Sequence, residues 1–185
     1  MSIRKITHNF IRGFVSDTNG AEIAEAAAVL PLMFMVLLGI FWFGQAFSIY
    51  GAITRAAQEG ARAGSYASFC ATCGTDVLVQ RKINAVTAAQ NALKGSKLDP
   101  TLAQPPASPP TFVTCLGGTP SCDAVASGQF CIQAPVRLAV SAGASDVCGI
   151  SVSMQYPFQF WLPFTSLNKQ KIWITSSALI RLESQ

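Results

Sequence analysis

The stretch Gly20–Tyr50, GAEIAEAAAVLPLMFMVLLGIFWFGQAFSIY, decides the fold. It opens on two acids, Glu22 and Glu25, and carries no further charge until Arg55. About 20 consecutive apolar residues let a helix cross a bilayer, and this run is longer than that. Its charges stand at the threshold rather than in the middle, as a membrane-spanning helix requires. A cleavable secretory signal is the rival reading, but its apolar core would be about 7–15 residues long.

The flanks orient the span. Residues 1–20 form a short polar leader in which Arg4, Lys5 and Arg12 outnumber Asp17. Positive residues beside a span favour the cytoplasmic side. Arg55 and Arg62 lie on the other flank, offset by Glu59. The expected topology is single-pass in a cytoplasmic membrane, N-terminus inside, with the bulk of the chain periplasmic or extracellular. The six cysteines agree, because Cys70, Cys73, Cys115, Cys122, Cys131 and Cys148 all follow the span. An even number in a small domain points to disulfides and an oxidising compartment. Six cysteines allow 15 connectivities, and sequence alone does not choose among them. Reduced, buried thiols are the alternative.

Composition excludes several classes. The chain has 185 residues, is 50% hydrophobic and 12% charged, and carries a net charge of +4. It has room for one modest domain besides the span. No Lys/Arg block reaches the length of a nucleic-acid patch, so no nucleic-acid partner is expected. The only histidine, His8, lies in the leader, which removes histidine catalysis and histidine-containing zinc sites from the outer domain. Asp76, Asp99, Asp123, Asp146 and Glu183 are isolated and read as caps or solvated groups. No catalytic residues, metal or cofactor are expected.

Helix character continues beyond the span through Ile49–Phe69, rich in Ala, Gln, Glu and Arg. Gly44, Ser48, Ala52, Ala56, Gly60, Gly64 and Ser68 are all small and each follows the last by four. Such a ridge lets another helix backbone approach closely. It drifts by about 40° per step, so it suits a crossing helix or several neighbours met in succession. In an Ala/Gly-rich helix such an alignment also arises by chance.

A second helix is expected over Asp76–Leu93, capped by Thr75, with Val79, Ile83, Val86 and Leu93 on one face and Gly95 as its stop. Thr101–Pro110 (TLAQPPASPP) reads as an extended linker. The C-terminal part changes to period two. Val136, Leu138 and Val140 alternate with polar or small residues. So do Ile150, Val152, Met154 and Tyr156, and later Ile172, Ile174, Ile180 and Leu182. That is the pattern of half-buried strands, with Gly143-Ala144-Ser145 as a hairpin turn and the second helix on the apolar face. Within the aromatic segment Tyr156–Phe164, Phe158, Phe160 and Leu162 continue the core face, or the segment contacts a partner or the membrane.

The expected fold class is therefore α+β: a long transmembrane helix continuing into an extracytoplasmic amphipathic helix, a second short helix and a small antiparallel sheet. Its parts are a leader (1–20), the span and its extension (21–69), the second helix and Pro-rich linker (70–110), and a disulfide-bearing β domain (111–185).

Cys70-Ala-Thr-Cys73 follows a long helix, whereas a thioredoxin-like pair follows a strand. A zinc ribbon would need a second tight pair, and Cys115/Cys122 and Cys131/Cys148 are too widely spaced. Structural disulfides are the default reading.

Gly20-Ala-Glu-Ile-Ala-Glu25-Ala-Ala-Ala-Val-Leu-Pro31, followed by Gly39, Phe43 and Gly44, resembles the TadE-like family, pseudopilins or minor pilins of the Tad (tight adherence) pilus machinery. Ile53–Gly64 (ITRAAQEGARAG) is similar to the family's second block, and the close Ala178–Glu183 to its usual ending. Family members often carry an aromatic residue after the glutamate; here it is Ala26.

The resemblance implies a role in pilus assembly, with other pilin or pseudopilin subunits, the cytoplasmic membrane and a prepilin peptidase as partners. It implies cleavage after Gly20, so that Ala21 becomes the new N-terminus and Glu25 the fifth mature residue. The Ala21 amine of one subunit would then meet the Glu25 carboxylate of the next and set their stagger. Two rivals come from other classes: a membrane-anchored extracytoplasmic binding protein unrelated to pili, and a tethered thiol oxidoreductase using Cys70 and Cys73.

Overall fold

The computed structural model describes residues 18–66, 74–115, 121–122, 129–138, 147–159 and 171–182. It is an α+β protein. Helix α1 spans Thr18–Ser65 and α2 spans Gly74–Gly95. A 3₁₀ turn follows at Pro100–Leu102, then strands β1 (Cys131–Arg137), β2 (Cys148–Gln159) and β3 (Lys171–Arg181). The chain divides into two compact units, Met1–Gln45 and Ala46–Gln185.

In the first unit the described residues belong to α1, which continues through Pro31. In a membrane helix, neighbouring groups can satisfy the carbonyl that such a proline frees.

In the second unit, the strands pair antiparallel in the order β1-β2-β3. Consecutive strands are neighbours, so the topology is a meander. Even-numbered residues of β2 and β3 face the helices: Ile150, Val152, Met154 and Tyr156 are buried, with Ile174, Ala178 and Ile180 packed beside them. The covering layer is formed by Ile53, Ala56, Ala57 and Ala61 of α1 and Ala85, Val86, Ala89 and Leu93 of α2. The sheet's apolar face thus meets both helices. The hydroxyls of Ser176 and Thr54 bond at 3.1 Å between sheet and α1.

Several expectations need correction. The first strand begins at Cys131, five residues before Val136, and ends at Arg137. Leu138 lies just past it and Val140 lies outside the described residues. Its alternation is hidden by an irregularity between Gln133 and Val136, around the cis Ala134–Pro135 bond; bulges accommodate proline in this way. The expected turn at residues 143–145 lies outside the described residues.

Strand β2 is not half-buried. Ser151 and Ser153 are as buried as the apolar residues between them, and the Ser153 hydroxyl lies 3.4 Å from the Cys131 carbonyl oxygen. A central strand covered on both faces loses its polar alternation in burial, though not in residue type. In β3, Ile172 keeps the core parity yet is 47% exposed, because it stands at the strand's end. Phe158 is buried, as the core reading requires; Phe160 and Leu162 lie outside the described residues.

Helix α2 begins two residues earlier than expected, and its buried face differs. Val86 and Leu93 are buried, but Val79 and Ile83 are 44% and 37% exposed. Arg81, Lys82, Ala85 and Ala89 are buried instead. The helix ends at Gly95, as expected, but the left-handed residue that closes it lies beyond that end. Lys97, not Gly95, takes the left-handed conformation, at φ 59°. The Leu98 N–H donates to the Leu93 carbonyl and the Lys97 N–H to that of Lys94, which is a Schellman closure. Leu98 packs against the core cluster that contains Leu93, in keeping with the apolar contact such closures favour.

The Pro-rich segment is joined to the domain at both ends. The Asp99 carboxylate caps the 3₁₀ turn, accepting from the Thr101 N–H at 2.9 Å and its hydroxyl at 2.7 Å. Thr101 and Leu102, expected to be extended, complete that turn. Gln104 then exchanges two backbone bonds with Gln155, and Thr114 bridges to Val136 on the outer edge of β1.

Candidate functional site: a bare apolar helix and its buried continuation

Alpha1 has two environments. From Ile23 to Phe47 its large side chains, the half-buried Trp42 excepted, are exposed, including Met35 at 74% and Phe47 at 71%. A soluble monomer rarely exposes an apolar patch of more than a few hundred Å², and a helix apolar on all sides matches lipid or a protein core. This helix is long and apolar enough to cross a membrane, and its most apolar window has no residue buried within the protein. Gly20 and Ala21 lie in the helical backbone, since α1 begins at Thr18. Glu25 is exposed at the threshold of the apolar run.

The small-residue ridge is divided between the two environments. Gly44 and Ser48 are exposed, and a Cβ built on Gly44 would meet nothing within 4 Å. Ala52 is half-buried and Ala56 fully buried. At Gly60 a Cβ would lie 2.9 Å from the Ala85 carbonyl oxygen and 3.1 Å from the Ala89 Cβ. At Gly64 it would lie 2.5 Å from Ile150 Cδ1 and 3.2 Å from the Ala85 Cβ. The far end of the ridge therefore packs against this chain's own α2 and β2. Ser68 lies outside the described residues. Ala85 and Ala89 answer Gly60 and Gly64 with the same four-residue spacing. That complementary pair was the signal in the sequence for the true face of α2.

Among the described residues Arg81 is the largest fully buried side chain. Its backbone carbonyl lies 3.3 Å from the position of a Gly64 Cβ. Burial pulls its pKa below the ordinary arginine value, and arginine still stays charged at neutral pH. Asp99 and Tyr156 are electrostatically coupled. The Thr101 N–H and hydroxyl hold the Asp99 carboxyl below the usual range. Burial pushes the Tyr156 phenol up. A hydrogen bond with the Asp99 backbone opposes that rise, and the Asp99 charge adds to it.

Among the described residues two disulfides close the sheet domain, Cys115–Cys148 and Cys122–Cys131. The first ties the segment beside β1 to the start of β2; the second ties a loop to the start of β1. Cys70 and Cys73 lie outside the described residues. Among the described residues no cluster of His, Cys, Asp and Glu could hold a metal ion.

The geometry is thus an apolar helix with an acid at its threshold, an open small-residue face and a domain locked onto its far end. Residues 20–62 match the family model of the TadE-like protein. This agrees with the resemblance read from Gly20–Pro31 and from the block beginning at Ile53. No curated protein and no solved structure matches the chain. The TadE-like segment begins at Gly20 and ends at Arg62, inside α1 and just before Gly64. It includes Ala21, Glu25 and the ridge from Gly44 to Gly60. Helix α2, both disulfides and the sheet lie beyond it, including the closing strand that resembled the family's ending.

Proposed function

We propose that the chain is a pseudopilin or minor pilin: a non-enzymatic, single-span subunit that takes part in assembling a Tad-type pilus or a related secretion apparatus. The observation that carries this reading is the coincidence of the TadE-like match with the bare apolar helix. A helix apolar on every side needs lipid before assembly and like helices after it. Both environments satisfy its backbone internally and cover its side chains.

In this reading a prepilin peptidase cuts after Gly20 and frees the Ala21 amine. The exposed Glu25 carboxylate is costly at the edge of hydrocarbon unless it is paired. The amine of a neighbouring subunit supplies the partner and sets the register. Gly44, open in the single chain, presents the close-packing face to adjacent helices. Gly60 and Gly64 have a different role, holding the domain to its own helix. The disulfides suit an oxidising compartment, which supports the reading in which the disulfide-bearing domain lies outside the cytoplasmic membrane and the leader inside.

The test separates docking from folding. Glu25→Gln is expected to leave membrane insertion intact and to reduce incorporation into the assembly. Normal incorporation would remove Glu25 from the register mechanism. Gly44→Leu is expected to behave like Glu25→Gln, because the added side chain has open space in the single chain but not against a packed neighbour.

A further inference from the structure

We propose that the turn closing α2 and the facing surface of α1 form a binding site for the phosphate headgroup of an anionic phospholipid. The inference rests on the reading of α1 as a membrane span. The site is a cavity of about 390 Å³ within the second unit, lined by Phe47, Ser48, Ile49, Arg55, Ser96 and Leu98 among others.

Its level relative to a bilayer follows from the charge pattern. Arg55 is the first charge after the uncharged run that follows Glu25, and a cation at the end of a span lies at the headgroup level. Tyr50, about half exposed, lies at the level where aromatic side chains mark the interface. The cavity is amphipathic in the matching sense. Phe47, Ile49 and Leu98 offer an apolar wall for the start of an acyl chain; Ser48, Ser96 and Arg55 offer hydroxyl and guanidinium donors.

Charge selects the occupant. Arg55 lines the cavity, and Lys97 stands between two of its lining residues. Lys94 precedes the turn, and all three are exposed. Among the described residues none of the three is engaged in an ion pair. The nearby acids are Glu59, one turn beyond Arg55, and Asp99, whose carboxylate already accepts from Thr101. The last carbonyls of α2 would repel an anion, but those of Ala92, Leu93 and Lys94 accept from Ser96, Leu98 and Lys97. Three cations on the outer side of a span run against the usual bias toward inside. A lipid phosphate among them supplies a shared counter-charge.

The test uses the full-length protein in nanodiscs of mixed phosphatidylcholine and phosphatidylglycerol, with the lipids retained after gentle delipidation counted by native mass spectrometry. Phosphatidylglycerol is expected to be enriched over the bulk mixture. Arg55→Gln and Lys97→Gln should each lower the enrichment about fivefold, the effect of one cation near a charged surface. Both residues are exposed, and unchanged thermal unfolding in detergent would show that the variants fold. No enrichment, or the same enrichment in the double variant, overturns the proposal. An excess of inorganic phosphate should fail to displace the lipid; full displacement would make the site a free-phosphate site and overturn the assignment to lipid. Extraction of the protein from vesicles at alkaline pH would instead overturn the membrane-span reading. A protein that stays embedded without anionic preference overturns the lipid site alone.

Discussion

Gly60 of α1 and Ala85 of α2 approach so closely that a Cβ on Gly60 would lie 2.9 Å from the Ala85 carbonyl oxygen. That contact is backbone against backbone, so no rotamer change relieves it. Gly60→Ala gains about 1 kcal/mol of helix propensity and incurs about 1–3 kcal/mol of overpacking. The net expectation is a loss of up to about 2 kcal/mol in denaturant unfolding. At Gly64 the nearest atom is Ile150 Cδ1, the end of a flexible side chain, so Gly64→Ala should cost less than Gly60→Ala. Gly51→Ala, with nothing within 4 Å, should not destabilise at all. An equal effect at all three positions would refute the close-packing account.

The disulfides differ in the loops they close. Cys115–Cys148 spans 33 residues and Cys122–Cys131 spans 9. Loop-closure entropy gives about 4 kcal/mol for the first and about 3 kcal/mol for the second. Replacing Cys115 and Cys148 together by Ser should therefore lower stability more than replacing Cys122 and Cys131. Peptide mapping without reduction should recover these two pairings.

Stability should fall at both ends of the pH scale, for opposite reasons. The folded Asp99 carboxyl titrates below its unfolded range. Its contribution is present above about pH 4 and is lost as pH falls through the folded value. The folded Tyr156 phenol titrates above its unfolded value of about 10. Its contribution is full below that pH and is lost as pH rises through the folded value. Asp99→Asn should flatten the acid limb of a plot of unfolding midpoint against pH, and Tyr156→Phe the alkaline limb. A limb unchanged by its variant would assign that titration to another group.

Lys97 holds a left-handed backbone conformation without being glycine. Lys97→Gly should stabilise the domain by up to about 1 kcal/mol by relieving that conformation. A fall in melting temperature would mean that the lysine side chain contributes more than its backbone costs.

What was legible in the sequence depended on which force set the pattern. The apolar run of α1 has no competing reading once its length is counted, and the meander follows from the shared parity of β2 and β3. The misreadings arose where packing geometry overrode apolarity. Val79 and Ile83 suggested the wrong face of α2, because the approach of Gly60 and Gly64 favours Ala85 and Ala89 there. Gly95 marked the helix end, but the left-handed residue that closes it is Lys97. Ser151 and Ser153 suggested a solvent face that is covered. Gly44, Ser48, Gly60 and Gly64 form one ridge in sequence, yet only contacts divide it into an open part and a part closed within the chain.

The central claim, a processed subunit that assembles through its N-terminal helix, is tested most directly by the intact mass of the protein purified from its native membrane. A mature N-terminus at Ala21 is the expected result. An intact Met1 in cells with an active prepilin peptidase would contradict it.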